Sequence, residues 1–179
     1  ELPLAMEEKP ISAHDILMEH VTFSYTGKEN VIHDINLAIP EGAFYALVGP
    51  SGGGKSTLAR LVARFWDPTE GAIRIGGVNI KDIPLTELAD QVSFVTQDNF
   101  LFNCSLKENI RLGNPNASDE EIYAAAKAAC CDDFITKLPN GYDTSAGEAG
   151  KSLSGGEKQR ISIARAILKN APIIILDEA

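Results

Sequence analysis

The sequence has no apolar run long enough to cross a membrane, little cysteine and no excess of positive charge. A membrane-spanning helix needs about twenty predominantly apolar residues, and no run in this chain of 179 residues approaches that length. The formal net charge of −9 argues against a nucleic-acid-binding surface. Cys104, Cys130 and Cys131 have neither a metal-site spacing nor the even number of a disulfide framework, which favours a reducing compartment.

The start of the chain also lacks familiar features. Residues 1–10 contain no initiator Met and no basic segment followed by the apolar core of a signal peptide. We therefore expect the chain to be part of a longer protein, with residues 1–13 forming a polar linker. Cys130 and Cys131 come late in a helical pattern, where we expect both to be small buried residues.

The most informative stretch is glycine-rich and fits the pattern G-x-x-x-x-G-K-[S/T]. Its residues are Gly49, Pro50, Ser51, Gly52, Gly53, Gly54, Lys55, Ser56 and Thr57. The apolar run 43–48 before it is predicted to be a buried strand, and the periodic segment 58–66 after it a helix that begins near Lys55. Backbone amides of such a loop cradle phosphates, Lys55 adds positive charge, and the Ser56 hydroxyl suits Mg²⁺. This stretch predicts nucleotide phosphate binding.

A second motif, near the end of the chain, contains two carboxylates. The run 173–176 is predicted to be a fully buried strand, and Asp177 and Glu178 follow it directly. In open α/β sheets, ligands lie at the carboxyl ends of strands. Asp177 is therefore a candidate Mg²⁺ ligand, direct or through a water, and Glu178 a candidate base for an attacking water.

A third stretch opens a long predicted helix with two glycines. Ser154 is a suitable N-cap, and Gly155 and Gly156 occupy the first helical positions. Glycine weakens a helix, so local stability does not explain this choice. Free amides at a bare helix start do explain it if an anion has to approach closely.

Around these motifs, hydrophobic periodicity and turn residues predict strands and helices in alternation. Strands are predicted at 16–25, 31–39 and 92–96, with a hairpin over 72–80. Helices are predicted at 84–89, after the capping residues Ser105 and Ser118, and at 132–138 and 154–169. Residues of about 100–150 therefore look like a helical insertion between parts that contain strands.

Together the three motifs resemble the nucleotide-binding domain of an ATP-binding cassette (ABC) transporter of the exporter type. Residues 49–57 resemble its Walker A motif, 153–157 its L-S-G-G-Q signature and 173–178 its Walker B motif. Their order is that of the family, and the match covers nearly all of the chain after the linker. The resemblance implies an α/β P-loop NTPase core with a mixed β-sheet, an N-terminal antiparallel β subdomain and a helical insertion.

The resemblance also implies a division into parts and a set of partners. Residues 14–98 and 151–179 would form the ATP-binding core, and 99–150 the helical subdomain. Two such domains would pair head to tail around MgATP, with Ser154, Gly155 and Gly156 of one chain capping the γ-phosphate held by the other. They would drive attached transmembrane domains from the cytoplasmic face of the cell membrane, with no nucleic acid involved.

Smaller motifs carry further roles on the same resemblance. Tyr25 is similar to the aromatic that stacks on adenine, and Gln97 to the glutamine that reaches Mg²⁺ or the attacking water. The segment 143–150 is similar to the exporter segment near the membrane domains, with its glutamate as a contact. Residues 100–102 form an apolar loop that we expect to dock a partner helix.

The sequence also departs from the family pattern. Glu157 stands where many members have Gln, and the added charge is expected to weaken γ-phosphate binding slightly. The family continues beyond the catalytic glutamate with a strand that lies between the Walker strands and ends in a histidine. We therefore expect the chain alone to hydrolyse ATP poorly. Two alternatives remain open from the sequence: a soluble ABC ATPase that does not transport, and a module that binds ATP without turnover.

Overall fold

A computed structural model describes residues 11–96, 98–147, 150–151 and 153–177 of the chain. They fall into two compact units, Glu1–Val92 and Ser93–Ala179. Among the described residues, no helix combines the length and the apolar character that crossing a bilayer requires.

The first unit is built on a four-stranded antiparallel sheet with the strand order β2-β1-β3-β4. These strands are β1 (Ile16–Phe23), β2 (Ile32–Ile39), β3 (Glu70–Ile75) and β4 (Val78–Asn79). Ile16 of the central strand faces Ile39 on one side and Ile75 on the other. Gly76 and Gly77 both have positive φ, 56° and 77°, which permits the tight turn between β3 and β4. The predicted antiparallel β subdomain and its hairpin are thus confirmed.

Two helices complete the first unit. Helix α1 (Lys55–Val62) begins where predicted, and α2 (Leu85–Gln91) follows a 3₁₀ turn. The chain leaves α1 through Arg64, whose φ of 52° is left-handed. The Arg64 side chain is fully buried and donates to the Asp67 carboxylate (3.1 Å) and to the Ile83 carbonyl (3.1 Å). Such charged hydrogen bonds satisfy a buried guanidinium that would otherwise be costly.

The second unit joins a helical cluster to a two-stranded sheet. Its elements are β5 (Val92–Val95), α3 (Leu106–Arg111), α4 (Asp119–Ala128), α5 (Asp132–Ile135), α6 (Gly155–Lys169) and β6 (Ile173–Leu176). Strands β5 and β6 pair with each other. Ile110, Ile122, Ile135 and Ile161 are fully buried and bring all four helices into one apolar core. Ser105, Ser118 and Ser154 cap their helices as predicted.

Two predictions of buried strands were wrong, one because no strand forms in that part of the described chain and the other because the strand is only partly buried. Residues 43–48 form no strand within the described part of the chain, and Phe44 and Val48 are 90% and 88% exposed. Strand β6 forms, but its side chains Ile174 and Leu176 are 53% and 54% exposed instead of buried. An apolar run is buried only where neighbouring strands or helices cover it. No described segment covers these faces.

The cysteine prediction was half right. Cys131 is fully buried, and burial raises the pKa of its thiol to about 12. Cys130 is exposed instead of buried, because it has a left-handed φ of 56° just beyond α4 and turns towards solvent. A helical period cannot be extended past the residue at which the helix ends.

Asn109, in α3, ties the loop 100–105 to the helices of the second unit. Its fully buried amide accepts from the Phe102 amide (2.9 Å) and donates to the Phe102 carbonyl (3.0 Å) and the Ser105 carbonyl (3.0 Å). Arg165 of α6 donates to the Asn109 side chain (2.6 Å) and to the Phe100 carbonyl (2.8 Å). One amide and one guanidinium thus hold the loop, together with an isolated antiparallel bridge between Ser105 and Ser145.

We expect Asn109→Ala to lower the free energy of unfolding by about 2 kcal/mol or more, because it leaves buried donors and acceptors without partners. Urea denaturation of the domain measures this change. Asn116→Ala is the matched control, since Asn116 is exposed and should change stability by less than about 0.5 kcal/mol. Equal stabilities of the two variants would contradict the role given to Asn109.

Candidate nucleotide-binding site

The glycine-rich loop before α1 has the geometry of an anion cradle. Gly52 and Gly54 adopt left-handed φ values of 79° and 81°, which side-chain-bearing residues rarely adopt. Gly54 is the N-cap of α1 and has no side chain to cap the helix, and the first turn holds no acidic residue. The start of α1 therefore carries the positive end of the helix dipole without a built-in counter-charge.

Lys55 folds back over this loop. Its ammonium donates to the Gly49 carbonyl (2.9 Å) and to the Pro50 carbonyl (2.7 Å). Two neutral carbonyl acceptors thus hold the side chain against the loop. A phosphate oxygen is a stronger acceptor for an ammonium group than a carbonyl, so an incoming phosphate can replace either bond.

Tyr25 lies beside the first turn of α1. Its hydroxyl is 2.9 Å from the Thr57 hydroxyl, and its ring packs edge to face on Phe23 (4.9 Å between centroids) and Trp66 (5.1 Å). Tyr25 as a whole residue remains 48% exposed, which leaves surface for stacking. Trp66 ends the predicted helical segment 58–66 and has no predicted role in the site, whereas α1 ends at Val62. Trp66 is the one Trp of the chain and lies four residues after α1. That position was the only feature of the sequence that could have suggested a contact with the site.

The start of α6 is the second helix end at which the sequence predicts an anion. Gly155 and Gly156 are exposed, and a Cβ added to either would meet no atom within 4 Å. Packing within the chain therefore does not require glycine there, although each glycine costs a helix about 1 kcal/mol relative to alanine. Ser154 caps the helix, and the Glu157 carboxylate accepts from the Ser154 amide (2.7 Å) and hydroxyl (2.8 Å). These bonds lower the pKa of Glu157.

Asp177 follows β6 and is 8% exposed, with its amide bonded to the Val95 carbonyl (2.9 Å). Ser56 lies in the first turn of α1. The described residues contain no cluster of His, Cys, Asp or Glu that would hold a metal on its own. A hydroxyl and a carboxylate are each hard oxygen ligands of the kind that Mg²⁺ takes, so each of these two residues suits the ion by its chemistry. Gln97 and Glu178 lie outside the described residues.

The structure therefore brings predicted residues together in three local groups. Tyr25 contacts Thr57, Lys55 contacts the loop 49–50, and Ser154 adjoins Gly155 and Gly156. The first two groups belong to the first unit and the third to the second unit. Asp177 belongs to the second unit as well.

The apolar loop 100–102 presents two aromatic rings to solvent. Phe100 and Phe102 are 55% and 54% exposed, and their rings pack edge to face with centroids 5.2 Å apart. Leu101 was predicted to share this patch but is fully buried in the helical core, so that part of the prediction was wrong. The two rings border a groove of 420 Å³ that Leu112 and Arg165 also line.

The chain combines an α/β fold with a phosphate loop, a Walker B strand and a helix that starts with two glycines. These features are typical of a P-loop nucleotide-binding protein. The model of the ABC transporter family matches residues 32–179, and the chain belongs to that family. The predicted family and fold class are thereby confirmed.

Individual relatives agree with this assignment. The "Putative multidrug export ATP-binding/permease protein" of Staphylococcus aureus is 55% identical over 163 residues, which cover 90% of this chain and 28% of the relative. An "Uncharacterized ABC transporter ATP-binding protein" of Sinorhizobium fredii is 48% identical over 99% of this chain and 31% of its own length. The solved structure of a bacterial Atm1-family ABC exporter with ATP bound matches with a TM-score of 0.92 and 44% identity, over 96% of this chain and 30% of that one. The chain thus spans less than a third of these proteins.

The contacts of Tyr25 give a testable prediction. Tyr25→Phe removes the bond to Thr57 but keeps the ring, so we expect a loss of about 0.5–1 kcal/mol in the free energy of unfolding. Tyr25→Ala also removes the ring contact with Trp66, so we expect a larger loss and a shifted tryptophan emission. Thermal unfolding and fluorescence measure both effects. Identical emission of Tyr25→Ala and the unchanged protein would show that Trp66 does not contact this ring.

Proposed function

We propose that this chain is the ATP-binding and ATP-hydrolysing part of a membrane exporter. The observation that carries the proposal is the phosphate loop, with left-handed Gly52 and Gly54, an uncapped start of α1, and Lys55 at its mouth. The named relatives support the exporter reading over a soluble ABC ATPase, because they are multidrug export proteins and an Atm1-family exporter.

In this proposal the triphosphate binds to the loop 49–57. The loop amides and the dipole of α1 attract the phosphates, and the Lys55 ammonium exchanges a carbonyl of its own loop for an outer phosphate oxygen. The exposed ring of Tyr25 stacks on adenine, which a π face binds without reading the edge of the base. Phosphates supply the affinity and the aromatic ring adds the preference for a purine.

Ser56, Gln97 and Asp177 are the proposed ligands of Mg²⁺. When bound, the ion would neutralise charge on the phosphate oxygens. A water attacks the γ-phosphorus, the bond to the β-phosphate oxygen breaks, and ADP and inorganic phosphate result. Glu178 takes the proton of the attacking water, and Lys55 offsets charge on the transferred group.

A second copy of the domain completes the site in this proposal. Ser154, Gly155 and Gly156 of the partner domain cap the γ-phosphate, and the pairing is head to tail. The open space around Gly155 and Gly156 supports this role, since a close-approaching anion explains glycines that their own chain does not need. ATP then holds two domains together, and its hydrolysis releases them.

Transmembrane domains of the same protein are the other proposed partners, which places the chain on the cytoplasmic face of a membrane. Phe100 and Phe102 are the proposed contact, because they form an exposed apolar pair on a loop held by Asn109 and Arg165. A rigid loop transmits movement, whereas a slack one would absorb it. Residues 1–13 would link the membrane part, 14–98 and 151–179 bind ATP, and 99–150 form the helical subdomain.

Lys55→Ala tests the nucleotide site directly. We expect ATP to bind roughly tenfold to a hundredfold more weakly, because a charge-assisted hydrogen bond to the triphosphate is lost. Titration with a fluorescent ATP analogue measures the affinity. Lys137→Ala removes the same charge at an exposed position of the second unit and should leave binding unchanged. ATP binding by Lys55→Ala at full affinity would remove the loop from this role.

Glu178→Gln tests hydrolysis separately from binding. In the full-length protein we expect phosphate release to fall by about a hundredfold or more while ATP-dependent pairing persists, because the amide cannot accept the proton. Glu120→Gln, an exposed carboxylate in α4, is the matched control and should keep normal turnover. If Glu178→Gln turned over ATP at the normal rate, another residue would have to be the base.

A further inference from the structure

The Glu157 carboxylate occupies the donors at the start of α6. One carboxylate oxygen, Oε2, accepts from the Ser154 amide at 2.7 Å and from the Ser154 hydroxyl at 2.8 Å. The Glu157 amide in turn donates to the Ser154 hydroxyl oxygen at 3.3 Å, which completes a reciprocal capping box. The cap stabilises the helix and places a negative charge where the proposed γ-phosphate would bind.

A serine hydroxyl has one proton to donate. In the structure that proton points to Glu157, so a γ-phosphate oxygen can receive it only if the carboxylate gives it up. Hydrogen bonds from the Ser154 amide and hydroxyl lower the pKa of Glu157, and Arg160 acts in the same direction. The carboxylate is therefore ionised at neutral pH and competes as a full negative charge.

We propose that Glu157 acts as an internal competitor of the γ-phosphate for the Ser154 hydroxyl, and so sets the ATP concentration at which two domains pair. This inference rests on the proposed function, because it concerns the same Ser154 site. A glutamine at 157 would keep a capping partner for the Ser154 amide. Its neutral carbonyl accepts more weakly than a carboxylate, and its NH₂ can donate to the hydroxyl oxygen, which frees the hydroxyl proton.

The chain carries a matched control in α4. The Ser118 amide donates to the Glu121 carboxylate at 2.7 Å, and the Glu121 amide donates to the Ser118 hydroxyl oxygen at 3.3 Å. These two distances equal those at Ser154 and Glu157. Glu121 has no part in the proposed nucleotide site, so Glu121→Gln reports what the same substitution does to a helix cap alone.

The test uses the full-length protein in a Glu178→Gln background, in which bound ATP is not hydrolysed. Radiolabelled ATP retained after rapid desalting gives the ATP concentration for half-maximal trapping. We expect Glu157→Gln to lower that concentration roughly fivefold and Glu121→Gln to leave it unchanged. ADP has no γ-phosphate, so its affinity, measured by displacement of a fluorescent nucleotide, should be the same with Glu or Gln at 157.

A Ser154→Ala background separates competition for the hydroxyl from a general charge effect. Without the hydroxyl there is nothing to compete for, so Glu157→Gln should no longer lower the half-maximal concentration. An unchanged or higher ATP requirement for Glu157→Gln overturns the proposal. So does an equal gain in ADP affinity, or a gain that persists with Ser154→Ala.

Failure of the proposed function has a different signature. If the Glu178→Gln protein trapped no ATP with Glu157 intact, the pairing mechanism would fall and this inference with it. If it trapped ATP normally but did not respond to Glu157→Gln, only the competition would be refuted. Melting temperatures of all variants check that each protein is folded.

Discussion

Unsatisfied amides at helix starts are the physical constraint on which this site depends. The first backbone N–H groups of every helix lack an intrahelical acceptor and have to find one elsewhere. Helix α4 meets this demand with Ser118 and Glu121, whereas α1 follows the N-cap Gly54 and has neither a capping side chain nor an acidic first turn. Helix α6 is an intermediate case of capping. It exposes Gly155 and Gly156, but the Glu157 carboxylate still accepts hydrogen bonds at its start. The three helix starts thus differ in how many backbone donors their own sequence leaves uncapped.

Packing and hydrogen bonds elsewhere in the second unit compensate for the weak helix propensity at the start of α6. Glycines at the start of α6 reduce its intrinsic stability, but the opposite face of the helix is buried through Ile161 and Ala164 in the common apolar core. Arg165 of the same helix binds the backbone of the loop at Phe100 and the side chain of Asn109. Tertiary packing and buried hydrogen bonds therefore hold the helix in place, so its position does not depend on the glycines of its first turn.

Local patterns were read well where a few adjacent residues supply the whole cause. Gly76 and Gly77 predicted the hairpin, and Ser105, Ser118 and Ser154 predicted three helix starts, because each of these signals depends on bonds within about four residues. Burial was read poorly in the apolar runs 43–48 and 173–176 and at Cys130 and Leu101. An apolar composition favours burial, but a segment is buried only where a neighbouring strand or helix packs against it.

The family, the phosphate-loop motif and the capping residues can be read from the amino-acid sequence alone, because each lies in a contiguous motif whose chemistry is local. The contacts of Tyr25 with Thr57 and Trp66, residues far from it along the chain, became known from the folded structure. The same holds for Asn109 and Arg165, which fix the loop with Phe100 and Phe102 outside and Leu101 inside. Contacts between distant residues depend on how whole elements pack, and no short stretch of sequence contains that information.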